Sequence, residues 1–213
     1  MSQSRRKPVV VLGAGGHAKV VIATLRAAGF TVAALFDDDA AKTGTALLGI
    51  EVQGTLADFA RSDYRQAVVA VGDNQARMKM VERLTDELPT VEWASAVHPH
   101  AWVHDSVKPG AGTVVFAGAV VQPDANIGEH VIINTGATVD HDCAIGDFVH
   151  LAPGTHLAGD VRAGRGAFVG IGAAITPGRR LGEWAVVGAG AVVIEDIPGG
   201  VTAVGVPAKP LPR

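Results

Sequence analysis

An apolar residue recurs at every sixth position through the second half of the chain. From Val103 to Val193, every sixth residue is Val, Ile or Leu, except Pro109 and Ala163. A second position, four residues further on, is small or apolar along the same run, with Arg179 as the exception. One large and one small inward position per six residues is typical of a hexapeptide β-helix, whose stacked coils bury what a single short strand cannot. An ordinary β-sandwich would not hold this register for so long, so we predict a parallel β-helix.

The first half alternates strand and helix patterns instead. Apolar strands are predicted at Val9–Leu12, 31–36 and 66–71, and helices at 17–28, Leu56–Arg61 and 75–88. This order indicates a small parallel sheet with helices on its faces. With about three strands, the domain corresponds to half of a dinucleotide-binding fold, which is large enough for a mononucleotide. We therefore predict an α/β nucleotide-sugar-binding domain over 1–95 and a β-helix domain over 96–213.

Composition narrows the class of protein. The chain has 213 residues, of which 48% are hydrophobic and only 5% aromatic, so its core must consist of Val, Ile, Leu and Ala. A net charge of −3 gives no support for a nucleic-acid-binding surface. A single cysteine, Cys143, excludes an internal disulfide and fits a reducing compartment. No apolar run approaches the ~20 residues of a membrane span. We expect a cytoplasmic protein.

A glycine-rich turn follows the first predicted strand. Gly13, Gly15 and Ala18 are spaced almost as in the dinucleotide fingerprint, where backbone amides and a helix N-terminus approach a phosphate. The pattern fits NAD as well as a nucleotide sugar, and Asp37 lies where an NAD-binding domain places its ribose carboxylate. The small size of the predicted domain argues against NAD.

Several motifs together resemble one family. They are GAGGHAKVV at 13–21, the pair Asp37-Asp38, the segment Gly72-Asp73-Asn74 with Arg77, and the closing GVPAK at 205–209. In this order they are similar to the left-handed β-helix acyltransferases that act on bacterial nucleotide sugars, a family that includes the bacillosamine-pathway and sialic acid acetyltransferases. The resemblance covers essentially the whole chain.

The resemblance implies a function and partners. It implies transfer of acetyl from acetyl-CoA to the 4-amino group of a nucleotide-linked amino sugar, with GDP-perosamine as the favoured acceptor. A UDP-linked 4-amino sugar, or O-acetylation of a sialic acid, are the alternatives. It also implies a homotrimer with the active site between neighbouring β-helices and the nucleotide on the N-terminal domain. No metal, nucleic acid or membrane partner is expected.

The catalytic residues are expected in the hexad that follows Val139. Because Val139 and Cys143 occupy inward positions, His141 and Asp142 fall on the outward part of a turn. The resemblance matches His141 to the general base and Asp142 to the acid beside it; Asp140 or Asp147 are alternative partners for the ring. A neutral imidazole can accept a proton near pH 7. The inward position of Cys143 indicates packing, so we expect direct attack without an acyl-enzyme.

Further residues are expected to bind the two substrates. For acetyl-CoA they are His150, Gly159 and Asn134, of which Gly159 would stack on His141 one coil later. Asn134 also fits a turn-forming role, and His150 a surface position. For the nucleotide sugar they are Gly15, Gly16, His17, Asp37, Asp38, Gly72, Asn74 and Arg77. Arg77 also fits an exposed helix position.

Two other classes of function fit parts of the sequence. His141, His150 and His156 resemble the three histidine ligands of the zinc-dependent carbonic anhydrases with this fold, although their spacing matches poorly and the front domain would have no role. A non-catalytic nucleotide-sugar sensor or scaffold is the second.

Overall fold

The computed structural model describes residues 8–211 and divides into two units. The first extends to His98 and the second begins at Pro99. The division lies three residues after the predicted boundary at 95.

The first unit is an α/β domain. Its elements are β1 (Val9–Leu12), α1 (Gly16–Ala27), β2 (Val32–Phe36), a 3-10 turn (Ala40–Lys42), β3 (Ala46–Leu47), β4 (Ile50–Gly54), α2 (Leu56–Arg61), β5 (Gln66–Val69), α3 (Asn74–Glu87), β6 (Glu92–Trp93) and β7 (Ala96–Val97). Six of the strands form one sheet in the order β3-β4-β2-β1-β5-β6. All neighbours are parallel except β3 and β4. The expected count of about three strands was therefore too low.

The centre of this sheet creates a crevice at its carboxyl edge. β1 is completely buried and pairs with β2 on one side and β5 on the other, so the loops after β1 and β5 diverge there. Gly13 follows β1 with φ of +103°, and a Cβ at this position would lie 3.2 Å from the carbonyl oxygen of Ala70. Glycine is required here both by the backbone conformation and by the close approach of the loop after β5.

The second unit is a left-handed parallel β-helix. Its strands are β8 (Trp102–Val103), β9 (Val114–Val115), β10 (Val120–Val121), β11 (Asn126–Ile127), β12 (Ile132–Ile133), β13 (Thr138–Val139), β14 (Ala144–Ile145), β15 (His150–Leu151), β16 (His156–Leu157), β17 (Arg162–Ala163), β18 (Phe168–Val169), β19 (Ala174–Ile175), β20 (Arg180–Leu181), β21 (Val186–Val187), β22 (Val192–Val193), β23 (Thr202–Val204) and the antiparallel β24 (Lys209–Pro210).

From β9 to β22, every third strand joins the same sheet, so the coils form a triangular prism with three faces. The first face contains β8, β10, β13, β16, β19 and β22; the second contains β11, β14, β17 and β20; the third contains β9, β12, β15, β18, β21 and β23. In the two-residue strands from β9 to β22, the second residue lies in the buried core, together with most of the small residues four positions later. This confirms the six-residue pattern. It also explains how a core forms with so few aromatic residues.

The turns at 140–143 and 158–161 join the first face to the second and stack along one edge of the prism. We call this the His141 edge. Asp124, Asp142 and Asp160 take left-handed conformations at equivalent positions, with φ of 61°, 60° and 54°. Asp tolerates this conformation better than most residues. The third face lies across the prism from this edge, because the edge is formed by the other two faces.

Candidate active site

His141 and Asp142 form a hydrogen-bonded pair on the His141 edge. Nδ1 of His141 lies 2.7 Å from Oδ2 of Asp142, and about three fifths of each side chain is exposed. A carboxylate accepts only, so the ring donates from Nδ1 and its Nε2 lone pair is left to accept a proton. The other two candidate partners do not touch the ring: Asp140 accepts from the backbone of His141, and Asp147 accepts from the backbone of Glu129.

Gly159 lies against the His141 ring, one coil later. A Cβ at this position would be 2.6 Å from Cε1 and 2.7 Å from Nε2 of His141. The φ of Gly159 lies outside the left-handed region, so space rather than backbone conformation requires glycine here. The Asp160 amide donates to the His141 carbonyl oxygen at 3.0 Å, which stacks the two turns. The reactive nitrogen therefore lies over open backbone.

The surroundings favour the charged form of the His141 ring. The hydrogen bond to Asp142 raises the pKa of His141 above its ordinary value; desolvation opposes this, and the charges of Asp140, Asp142 and Asp160 add to it. The His141 ring is thus a stronger base than a free imidazole. It is mainly neutral, and able to accept a proton, only at a pH above this raised pKa.

Cys143 lies in the core, as predicted. It is 1% exposed, its Sγ donates to the carbonyl oxygen of Ala158, and burial raises its thiol pKa to about 11. A thiol of this kind is not ionised near pH 7.

His150 and Asn134 contact each other on the third face. Nδ2 of Asn134 lies 3.1 Å from Nε2 of His150, while Oδ1 of Asn134 accepts from the amide of Thr135. The Asn134 side chain therefore stabilises its own turn and also contacts the His150 ring. His150 is only 8% exposed, and its ring packs edge-on against Phe168. Both residues lie across the prism from His141, so a single chain does not bring the three together.

Asp37 holds the glycine-rich turn in the first unit. Its Oδ2 accepts from the Ala14 amide at 2.7 Å and from Nζ of Lys42 at 2.9 Å, and its Oδ1 accepts from the Asp39 amide. Burial raises the pKa of Asp37, but these hydrogen bonds outweigh it and the net pKa is lowered. The carboxylate is thus ionised and engaged within the chain. Lys42 was not among the residues singled out from the sequence.

The turn itself offers an open helix N-terminus. α1 begins at Gly16 with Gly15 as its N-cap, no side chain caps it, and its first turn contains no acidic residue. A Cβ on Gly15 or Gly16 would meet nothing within 4 Å, and neither glycine has positive φ. The fold itself does not require glycine at these two positions. The absence of a side chain would instead allow an anion to approach the backbone amides closely.

Asp38 pairs with a residue far away in the sequence. Its Oδ2 lies 2.9 Å from Nη2 of Arg83 on α3. Both side chains are about half exposed, and the pair spans 45 positions. Sequence patterns gave no signal for it.

Arg77 is buried rather than exposed, which corrects the alternative reading of a surface helix position. It is 1% exposed and donates from Nη1 to the carbonyl oxygens of Val71 and Gly72, and from Nη2 to Oδ1 of Asn74. It therefore fixes the loop after β5. Burial and the charge of Arg77 lower the pKa of His17 to about 4, so this ring is neutral near pH 7.

Two properties of the described residues bear on other classes of function. Residues 8–211 contain no group of three or more His, Cys, Asp or Glu side chains able to hold a metal ion. His156 lies on the first face, where its Nδ1 contacts the Thr138 hydroxyl, apart from both His141 and His150. Over the same residues, no helix combines the length and apolar character that crossing a bilayer requires.

Comparison with known proteins gives one family model and two curated relatives, each matching part of the chain. Residues 8–84 match the family described as PglD N-terminal domain. UDP-N-acetylbacillosamine N-acetyltransferase of Bacillus subtilis (strain 168) is 41% identical over 117 residues, which are 52% of each protein. An uncharacterised protein of Acanthamoeba polyphaga mimivirus is 31% identical over 57% of this chain and 24% of its own length. The chain thus spans about half or less of these two curated relatives.

Solved structures match nearly the entire chain. A histidine variant of perosamine N-acetyltransferase from Caulobacter crescentus, in complex with CoA and GDP-perosamine, is 44% identical over 97% of each chain, with a TM-score of 0.92. The acetyltransferase domain of PglB from Neisseria gonorrhoeae FA1090, in complex with acetyl coenzyme A, is 39% identical over 97% of this chain and 100% of that one, with a TM-score of 0.89.

Proposed function

Because this chain belongs to the left-handed β-helix family of acetyl-CoA-dependent nucleotide-sugar N-acetyltransferases, we propose that it acetylates the 4-amino group of a nucleotide-linked amino sugar, with GDP-perosamine as the favoured acceptor. The observation that carries the proposal is the His141–Asp142 pair, whose Nε2 lies over the open backbone of Gly159. This geometry supports a general base that can approach a bound thioester.

The proposed reaction is a direct transfer. The sugar amine attacks the thioester carbonyl carbon while Nε2 of His141 takes a proton from the nitrogen. The tetrahedral intermediate then collapses, the carbon–sulfur bond breaks, and the imidazolium returns the proton to the CoA sulfur. Asp142 stabilises the charged ring in between. The backbone amide of Gly159, which donates no hydrogen bond within residues 8–211, is available to the developing oxyanion on this edge.

The nucleotide is proposed to bind the first unit. The diphosphate would lie at the N-terminus of α1, beside Gly15, Gly16 and His17, because no side chain caps this end and its first turn contains no acidic residue. Asp38, Gly72 and Asn74 would line the same crevice, with Arg77 holding its loop. GDP is favoured by the Caulobacter match, and a UDP-linked sugar is the second candidate because the Bacillus relative carries a UDP-sugar name.

We also propose a homotrimer in which two subunits complete each site. His141 lies on one edge of the prism, whereas His150 and Asn134 lie on the opposite face. If all three contact acetyl-CoA, they must come from two copies of the chain. The outward position of β8 on the first face carries Trp102, which is 49% exposed and offers apolar area for such an interface.

Subunit mixing tests the shared site. His141→Asn and His150→Gln subunits, each of low activity alone, should regain turnover when co-expressed with different tags, because some interfaces then combine an intact His141 with an intact His150. Mixed oligomers without recovery, or a monomeric protein, would contradict the shared site. Full activity of the His150→Gln protein would show that His150 is not part of the active site.

A substrate panel tests the activity. Release of free CoA thiol from acetyl-CoA is measured with GDP-perosamine, UDP-linked 4-amino sugars and a sialic acid. The fastest release is expected with GDP-perosamine. Faster release with the UDP-linked sugars would identify UDP rather than GDP as the nucleotide of the acceptor. Thiol release with the sialic acid alone would indicate O-acetylation. If no acceptor caused thiol release, a non-catalytic sensor would be favoured.

A further inference from the structure

The turns of the His141 edge share a corner amide that the fold leaves without a backbone acceptor. The first corner residue of four successive turns is Pro123, His141, Gly159 and Pro177. Two of these four residues are proline, which has no N–H group to satisfy. Within residues 8–211, neither the His141 amide nor the Gly159 amide donates to a backbone carbonyl. Each coil therefore has to accommodate this donor separately.

Asp140 accommodates the donor in the catalytic turn. Its Oδ1 accepts from the His141 amide at 2.8 Å, and its own amide donates to the carbonyl oxygen of Leu157 on the next coil at 3.1 Å. The residue before Gly159 is Ala158, whose methyl group offers no acceptor. The His141 amide is therefore occupied by a neighbouring side chain, whereas the Gly159 amide stays open.

The backbone of His141 is thereby fixed from both sides. Its carbonyl oxygen accepts from the Asp160 amide at 3.0 Å, and the next amide, that of Asp142, donates to the carbonyl oxygen of Pro123 at 3.3 Å. With Asp140 on its amide, His141 makes a hydrogen bond through each of its backbone polar groups. About three fifths of the His141 side chain is exposed, so packing alone does not fix the ring. Its direction depends on the backbone of this turn and on the contact with Asp142.

Asp140 also acts on the ring through its charge. The hydrogen bond to Asp142 is the largest cause of the raised pKa of His141, and desolvation opposes it. Of the charges that add to the effect, that of Asp140 is the largest, followed by those of Asp142 and Asp160. Asp160 lies on the following turn, where Arg162 is 3.5 Å from its carboxylate. Asp140 therefore increases the basicity of the ring without touching it.

Resting on the proposed function, we infer that Asp140 is a positioning residue for the general base: its carboxylate fixes the His141 backbone through the corner amide and stabilises the imidazolium from a distance. One side chain thus makes two contributions that substitutions can separate. The hydrogen bond needs only an oxygen acceptor, which asparagine retains, whereas the electrostatic effect needs the negative charge. Asp142 differs from Asp140 in that it contacts the ring directly.

Two substitutions of Asp140 separate these contributions. Asp140→Asn should move the acid limb of kcat/KM to lower pH, because the base loses one of the charges that raise its pKa, and should keep the plateau close to that of the wild type. Asp140→Ala should move the acid limb in the same direction and also lower the plateau of kcat about tenfold, because the ring is less well placed. The KM values for both substrates should stay constant, because Asp140 acts through His141.

Asp124→Asn is the matched control. Asp124 lies on the preceding turn of the same edge, in a left-handed conformation that asparagine tolerates, and its charge is not among those that shift the pKa of His141. Its pH profile should match the wild type. In the His141→Asn background, Asp140→Ala should cost no further turnover, because the residue that it positions is already absent. A further loss there would show that Asp140 acts independently of the ring and would overturn the inference.

A titration without substrates separates this inference from the proposed reaction. The Cε1 proton of His141 is followed by NMR, and its signal is identified by its absence from His141→Asn. The pKa of His141 should fall in both Asp140 variants and stay constant in Asp124→Asn, even if no amino sugar is acetylated. An unchanged pKa in both Asp140 variants, or equal plateaus of kcat in the two, overturns the inference while leaving the acetyltransferase proposal standing.

Discussion

Nδ1 of His141 lies 2.7 Å from Oδ2 of Asp142, although the two residues are adjacent in the chain. In an extended strand, neighbouring side chains point to opposite sides. Here the turn removes that alternation, because Asp142 has φ of 60°. The same backbone position carries Asp124 and Asp160 in other coils, but only this coil places a histidine before the aspartate. The base and its partner thus depend on one local turn.

Replacing Asp142 should shift the pH profile. The base acts when neutral, and the hydrogen bond to Asp142 raises the pKa of His141, so Asp142→Asn should lower that pKa and move the acid limb of kcat/KM to lower pH. The plateau should also fall about tenfold, since the ring loses its partner. Asp147→Asn is the matched control, because Asp147 contacts the Glu129 amide instead. An acid limb that stays at the wild-type pH would contradict the pairing.

Gly159→Ala should reduce turnover without unfolding the protein. The new methyl group would lie 2.6 Å from the His141 ring, and an exposed ring can swing away at little cost in stability. We expect kcat to fall about 10- to 100-fold and the midpoint of thermal unfolding to change little. In the double variant with His141→Asn, Gly159→Ala should cost nothing further. Additive losses would show that Gly159 acts independently of the ring.

Cys143→Ala should retain activity. The thiol is buried in the core and protonated near pH 7, so it is not available to form an acyl-enzyme. The loss of packing should cost about 1 kcal/mol in the free energy of unfolding, measured by denaturant titration. Loss of turnover in a variant that is still folded would contradict direct attack.

Asp37→Asn should weaken sugar-nucleotide binding selectively. The two carboxylate oxygens accept from Ala14 and Lys42 on one side and from the Asp39 amide on the other, whereas asparagine has a single accepting oxygen and no charge to pair with Lys42. The KM for the nucleotide sugar should rise about tenfold, while the KM for acetyl-CoA stays constant. Asp39→Asn, which alters an acid that does not touch the glycine turn, serves as control. Equal changes in both KM values would show general damage instead.

The β-helix was predictable because its pattern is local and repeated. Each hexad carries the same inward positions, so the register follows from Val139 and Cys143 alone, and the outward position of His141 follows with it. Partnerships across coils were harder to foresee. His150 and Asn134 are 16 positions apart, and their contact depends on which outward residues face each other across two neighbouring coils.

The first unit was predicted less completely. β3 is two residues long, and β4 alternates buried and exposed positions from Ile50 to Gly54, a period-two signal that the sequence interpretation passed over. Arg77 was ambiguous because a helix position alone does not reveal that its guanidinium turns back to the carbonyl oxygens of Val71 and Gly72. Contacts of this kind depend on tertiary packing.

The most direct test of the account is the rate of acetyl transfer by His141→Asn. Asparagine keeps a polar side chain of similar reach but cannot accept a proton near pH 7, so kcat with the best amino sugar of the panel should fall by about 100-fold or more. Oligomeric state and thermal unfolding should match the wild type, because the ring is exposed. A folded His141→Asn protein that acetylates its amino sugar at close to the wild-type rate would show that this imidazole is not the base.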